Sequence, residues 1–302
     1  MRDPVTPTAP PFTVTAALAV LLLVPAIGPA AREAAGSPGA ATSTGAPAAA
    51  SSVAPGGVVR WPGRGIDRCQ LGDLQWPPWD GACWFAVDLL QEAGPLELER
   101  VRLGSSERLI VTVADYPYAV QRLRVAPEMA DPPADQLGRI RRETERVGAV
   151  WSLGGTPLFR LPLGPPLAPM PNRRSFGSRR IFNGQPRDPH SGVDLSAPTG
   201  TPVLAAERGR VAIASDLYFS GNSVFIDHGG DLVTMYFHLD RIEVRDGEAV
   251  ERGQVIGTVG STGRVTGPHL HFGVRWHGAR VDPALLLGDP ARVPVVGSDH
   301  PG

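Results

Sequence analysis

Between Gly209 and Phe237 the chain reads GRVAIASDLYFSGNSVFIDHGGDLVTMYF. Within it stand the short apolar runs Arg210-Val211-Ala212-Ile213, Ser223-Val224-Phe225-Ile226 and Leu232-Val233-Thr234-Met235-Tyr236-Phe237. β-Branched and aromatic side chains dominate them, and Gly221, Gly229 and Gly230 separate them, which is the pattern of strands joined by tight turns. Val203-Leu204 upstream and His271-Phe272-Gly273-Val274 downstream extend the series, with further glycines at 200, 209, 247, 253, 257, 260, 263, 267 and 278. Close-spaced strands without intervening helices argue for layered antiparallel sheet rather than βαβ units. The expected fold is therefore mainly β, with a C-terminal layered antiparallel β-sheet domain over residues 176–288.

Further upstream the period changes. Leu137, Ile140, Thr144, Val147 and Trp151 recur three and four apart, predicting one linking helix over Ala134 to Trp151. Asp131-Pro132-Pro133 supplies its start and Gly154-Gly155 its stop. Residues 157–173, rich in Pro and Leu, read as an extended connector, so 131–175 is helix plus connector. Residues 58–130 form a small β-rich N-terminal domain: Trp84-Phe85-Ala86-Val87, Leu96-Glu97-Leu98 and Leu109–Val113 suit strands, and Gly94-Pro95 and Gly104-Ser105-Ser106 suit turns. Residues 32–57 are almost entirely Ala, Gly, Ser, Thr and Pro, the composition of a disordered linker. Residues 1–31 read as an export signal: Arg2, an apolar core from Phe12 to Ile27, then small residues at Gly28, Ala30 and Ala31. An uncleaved membrane tether is the alternative. Residues 289–302 read as a tail. In an exported chain Cys69 and Cys83 read as one disulfide, with two buried thiols as the alternative.

The net charge of −1 gives no electrostatic footprint for nucleic acid. Every basic residue is arginine. The absence of lysine excludes a biotinyl or lipoyl carrier, which the Val250–Gly257 turn would otherwise suggest. No G-x-S-x-G supports serine nucleophilic catalysis and no H-E-x-x-H supports a helical zinc site.

Of the seven histidines, five fall between positions 190 and 271. His190 and Asp194 stand four apart, so an extended segment presents both on one face. His269 and His271, flanking Leu270, do the same. His238 ends the apolar run Leu232–Phe237. A catalytic zinc takes three ligands of His, Asp or Glu type and keeps a position open, and this stretch holds enough such residues.

H-x-x-x-D, a lone histidine after an aromatic-rich strand, and the run Gly260 to Phe272 ending Gly267-Pro268-His269-Leu270-His271-Phe272 together resemble the lysostaphin/LytM-type zinc endopeptidases. The likeness covers roughly residues 179–287, and includes Gly192 and the turn Val250–Gly257. It implies one zinc ion per chain on His190, Asp194 and His271, with His238 and His269 as catalytic histidines. It also implies a peptidoglycan hydrolase of the cell envelope or periplasm, cutting peptide stems, most simply as a D,D-endopeptidase. Some family members are latent and bind cell wall or activate another hydrolase. The five retained residues argue against that role, and any regulatory partner is unspecified. Tyr116-Pro117 through Gln121-Arg122-Leu123, with the helix after it, is similar to the N-terminal region of some Gram-negative members. Asn183 is a remote further ligand candidate, because some latent members place an asparagine on zinc. Tyr218 and Phe219 are expected either to line a groove or to pack. His228 reads as a hairpin-turn residue, structural or solvent-facing, His277 lies beside Gly278 in another turn, and His300 lies in the tail.

Overall fold

A computed structural model describes residues 52–124, 131–171 and 175–297. The export signal, the linker as far as residue 51, the end of the N-terminal domain at 125–130 and His300 lie outside the described residues. No described helix is long and apolar enough to cross a membrane.

The N-terminal part contains β1 (Ser52–Val53), β2 (Val58–Pro62), β3 (Ile66–Leu71), β4 (Leu74–Trp76), β5 (Ala82–Ala86), β6 (Gly94–Arg102) and β7 (Ser105–Val113). They form a sheet in the order β1-β7-β6-β3-β4 and a separate β2–β5 ribbon. Residues 52–53, expected as linker, already pair with β7, and Val53 is buried. Gly94-Pro95, expected as a turn, opens β6 instead. The ribbon shows what strand alternation does. Val59, Trp61, Cys83 and Phe85 point into a small core with Leu98 and Val111, while Val58, Ala82, Trp84 and Ala86 point into the core of the C-terminal domain. One ribbon thus belongs to two cores. Cys69 and Cys83 are joined by a disulfide that fastens β3 to the ribbon.

Strand β8 (Val120–Leu123) runs parallel to β9 (Arg179–Phe182), which pairs in turn with β10 (Gln185–Arg187). The main sheet comprises β11 (Gly192–Leu195), β12 (Pro202–Leu204), β13 (Gly209–Leu217), β14 (Gly221–Asp227), β15 (Leu232–Ile242), β16 (Ala249–Val250), β17 (Val255–Val259), β18 (Leu270–Trp276) and β19 (Ala279–Val281). Its path is β11-β18-β15-β14-β13-β16, with β12 and β17 branching from β15, and β19 at the side of β18. On its inner face Val193, Leu195, Tyr236, Leu270, Phe272 and Trp276 build the large core. The helix α1 (Leu137–Gly148), flanked by single 3₁₀ turns, lies against the other face, where Val150 and Trp151 meet Ile213, Phe225 and Met235. Arg139–Asp216 and Arg146–Asp246 ion pairs fasten it there. Over residues 157–171 the connector has neither helix nor strand, and it buries Phe159, Leu163 and Leu167. After α2 (Pro283–Leu287) the described part of the expected tail, residues 289–297, packs back on the protein. Val293 joins the large core and Val296 the small one, and Arg60 exchanges backbone hydrogen bonds with Pro294 and Val296.

His228 is not solvent-facing but fully buried. Its Nδ1–H donates to the Arg208 carbonyl at 2.7 Å, and its Nε2 accepts from the Thr234 hydroxyl at 2.8 Å. Burial pushes its pKa down to about 4, against the pull of that carbonyl and of Glu207. The folded state therefore favours neutral imidazole. Its share of stability is complete above the unfolded value near 6.5 and disappears as pH falls through about 4, roughly 3 kcal/mol in all. His228→Gln is expected to flatten the loss of urea stability between pH 7 and pH 4.5 relative to wild type. Parallel pH profiles for the two proteins would refute this.

Candidate metal centre

The site is a row across three strands. Asp194 of β11 faces His271 of β18, and His271 faces Phe237 of β15. Directly opposite residues share a face, so all three side chains leave the sheet together, away from the core that holds Leu270 and Phe272. Phe237 stacks on His271 with planes 3° apart and fixes the imidazole. His190 arrives from the segment before β11. Its Nε2 lies 2.9 Å from Asp194 Oδ1 and 2.8 Å from His271 Nδ1, and His271 Nδ1 lies 3.0 Å from that same oxygen. Three donor atoms thus form a near-equilateral triangle. A tetrahedral zinc with bonds of 2.0–2.1 Å sets its ligands roughly 3.3 Å apart, so a few tenths of an ångström of spreading fits the ion. Among the described residues, His190, Asp194 and His271 are the group able to hold a metal.

The surroundings fix the chemistry of these donors. His190 Nδ1–H donates to the Ser175 carbonyl at 3.0 Å, which leaves the Nε2 lone pair facing the triangle. Ser175 Oγ accepts from the Asp194 amide. Burial raises the Asp194 carboxyl, but hydrogen bonds and charge from His190 and His271 outweigh it and hold the group far below the usual carboxylate range. Burial pushes His271 down to about 4. Gly192 stands where a Cβ would meet the Phe272 carbonyl at 2.5 Å and His271 Nε2 at 2.6 Å, so only glycine leaves the ligand in place.

His269 shares the outer face with His271 by alternation, and its Nε2 sits 3.6 Å from Asp194 Oδ1. His238 reaches the same place by another route. After Phe237, simple alternation would turn His238 towards the core. Instead the β14–β15 register slips here, and His238 takes a positive φ of 66°. The bulge re-aims its ring to 5.0 Å from His269 and 6.1 Å from His271. Both histidines donate Nδ1–H to carbonyls, of Thr262 at 3.0 Å and Gly267 at 2.9 Å, so each Nε2 keeps its lone pair. Burial, then the neighbouring His271, pushes His238 down to about 3.

All five sequence-predicted residues therefore converge. Sequence reasoning missed Ser175, Arg180, Phe237 and Thr262. Arg180 Nη2 lies 3.4 Å from Asp194 Oδ2, and no local motif marks it. Asn183, with Gly184, makes the β9–β10 turn, both at positive φ. Tyr218 and Phe219 pack edge to face, and Phe219 carries the Arg264 guanidinium 4.6 Å above its ring. His277, beside Gly278, stacks on Trp76.

The description "Peptidase family M23" matches residues 188–283, which contain all five residues. A crystal structure of a peptidase M23 from Pseudomonas aeruginosa superposes with a TM-score of 0.60 at 30% identity, over 78% of this chain and 94% of that one. The chain belongs to peptidase family M23. That family consists of zinc-dependent metallopeptidases, in keeping with the His-Asp-His triangle. Among M23 relatives, the peptidoglycan DD-endopeptidase ShyC of Vibrio cholerae serotype O1 is 45% identical over 114 residues, 37% of this chain and 26% of its own length. The DD-carboxypeptidase/endopeptidase Mpg of Neisseria meningitidis serogroup B is 45% identical over 97 residues, 32% of this chain and 22% of its own. The chain spans about a quarter of the length of these curated M23 relatives.

Proposed function

We propose that this chain is a zinc endopeptidase that hydrolyses peptide cross-links of bacterial peptidoglycan, with one zinc ion per chain on His190, Asp194 and His271. The observation that carries the reading is the triangle of three ligand atoms with two further Nε2 lone pairs beside it. When bound, zinc polarises a carbonyl and lowers the pKa of water towards ~7.

The chain supplies the proton handling. His238 and His269 each present an unprotonated Nε2, because Nδ1 is spent on a backbone carbonyl. One accepts a proton from the attacking water, and once protonated a ring in that position stabilises the oxyanion or returns the proton to the leaving amine. The site does not assign the two jobs separately. Phe237 and Ser175 keep the ligands oriented. A latent module that binds cell wall or activates another hydrolase fits less well, since such a role needs neither ligands nor proton carriers.

The DD-endopeptidase names of the relatives favour a D,D cross-link as substrate and the exported cell envelope as the place of action. The β-rich unit from Ser52 to Val113 and helix α1 position the peptidase domain, through the shared β2–β5 ribbon and the ion pairs of α1. The test is metal content and muropeptide release from purified sacculi, with and without a chelator. One zinc per chain is expected, with conversion of cross-linked dimers to monomers that chelation abolishes and zinc restores. Folded protein that binds zinc yet releases nothing would overturn the endopeptidase reading.

A further inference from the structure

The stretch Tyr116-Pro117-Tyr118 lies between β7 and β8. A proline fixes its own φ and steers the residue before it out of the helical region, which keeps the stretch open. Pro117 is exposed, while the two tyrosine rings pack against the large core and meet edge to face at 5.1 Å. Both phenols are spent on backbone. Tyr116 O–H donates to the Gly177 carbonyl and Tyr118 O–H to the Pro55 carbonyl, each at 2.6 Å. Gly177 belongs to the tight turn Ser175–Ser178, where it takes a positive φ of 74°. A Cβ there would run into the Tyr118 ring, so the ring lies directly against this backbone. Phe176 in the same turn meets Tyr118 edge to face at 5.5 Å. Arg179, which leaves the turn, sets its guanidinium 4.1 Å from the centre of the Tyr116 ring.

The turn that the tyrosines grip also carries metal ligands. Gly177 N–H donates to the His190 carbonyl at 2.8 Å, and His190 N–H donates to the Ser178 carbonyl at 3.0 Å. Ser175 makes two more contacts: its carbonyl accepts from His190 Nδ1–H and its hydroxyl from the Asp194 amide. Backbone and ring of His190 are thus both set by the turn, and so is the backbone of Asp194. Two vertices of the donor triangle hang on four residues, and Tyr116 and Tyr118 pin those four from the side away from the ligands.

We infer that Tyr116 and Tyr118 are positioning residues of the metal centre, which set zinc affinity and the rate of hydrolysis through the Ser175–Ser178 turn. This rests on the zinc endopeptidase reading and deepens it, because the chain before the peptidase domain then acts on the site itself. Groups that orient a metal ligand commonly carry 10–100-fold in affinity. The tyrosines stand one contact further out than Ser175, so the lower end of that range applies. Their reach is through backbone, and the ring of Tyr118 matters more than its hydroxyl, since the ring is what lies on Gly177.

The test is zinc affinity, measured by competition with a chromophoric chelator. Tyr116→Phe, which removes one hydroxyl and keeps the ring, is expected to weaken zinc about tenfold, and Tyr118→Leu at least as much. Tyr118→Phe, which restores the ring, should recover most of the Tyr118→Leu loss. Val111→Ala in the small N-terminal core lowers stability without touching the turn, and should bind zinc as wild type does. At saturating zinc, Tyr116→Phe should lower kcat on a cross-linked muropeptide dimer and leave KM unchanged. Wild-type affinity in both Tyr116→Phe and Tyr118→Leu overturns the inference, as does an equal loss in Val111→Ala. Should wild type take up no zinc, the endopeptidase reading fails by itself and hydrogen exchange decides the role of the tyrosines. Amide exchange at His190 and Asp194 that is about tenfold faster in Tyr116→Phe and Tyr118→Leu than in wild type then supports it. Unchanged exchange at both amides overturns it.

Discussion

His271→Ala is expected to lower release of monomeric muropeptides from sacculi by at least ~10³-fold and to bring bound zinc well below one per chain. The ring supplies one vertex of the donor triangle, and the charge stabilisation lost with the metal amounts to several kcal/mol, each 1.36 of which is tenfold in rate. The fold should survive, because His271 leaves the outer face of β18 while Leu270 and Phe272 hold the core. His269→Ala separates metal binding from proton transfer. It should cost about 10²–10⁴-fold in rate, the usual worth of a positioned acid or base, with zinc content intact. Paired zinc and rate measurements on the two variants check this. Full zinc in the His271 variant, or zinc loss in the His269 variant, would reverse the assigned roles.

Trp276→Ala should be the most damaging single change to stability, at about 3–5 kcal/mol. Trp276 is fully buried at the other end of β18 from His271. Its ring stands 5.6 Å from Trp84, 5.7 Å from Phe159 and 6.2 Å from Trp79, so it joins the ribbon, the connector and the main sheet. Its indole N–H donates to the Gly230 carbonyl at 3.1 Å, and truncation also leaves that acceptor unpaired. For a chain of this size the midpoint of thermal unfolding should fall about 2–4 °C per kcal/mol. Urea denaturation measures the loss directly, and a loss under about 1 kcal/mol would show that the aromatic cluster collapses around the gap.

Much of this molecule was readable from local pattern. The runs around Gly221, Gly229 and Gly230 gave β14, β15 and their neighbours, and the spacing of Leu137, Ile140, Thr144 and Val147 gave α1. His190 and Asp194, and His269 and His271, drew notice because an extended segment puts each pair on one face, and family likeness supplied their roles. His238 was found through family likeness, whereas alternation would have misplaced it. The bulge that turns its ring outward depends on the register with β14, which one strand's sequence does not encode. Ser175 and Arg180 escaped for a similar reason. Their contacts with the triangle arise only when β9 and the segment before it fold across β11, and neither carries a motif. The parallel pairing of β8 with β9 joins residues about sixty apart, beyond any periodicity.

The burial of Val296 in the small N-terminal core sets an order of events in the life of the chain. A ribosome delivers the strands from Ser52 to Val113 first, and N-terminal units commonly complete their folding before the rest is made. Here part of that unit's core comes from the far end of the chain. The strand position beside Arg60 is filled by Pro294 to Val296, which are synthesised only after the whole metal-bearing sheet. The small core of the N-terminal unit is thus closed by residues that follow the whole metal-bearing sheet in the sequence, and a chain cut short of Pro294 would leave that core open.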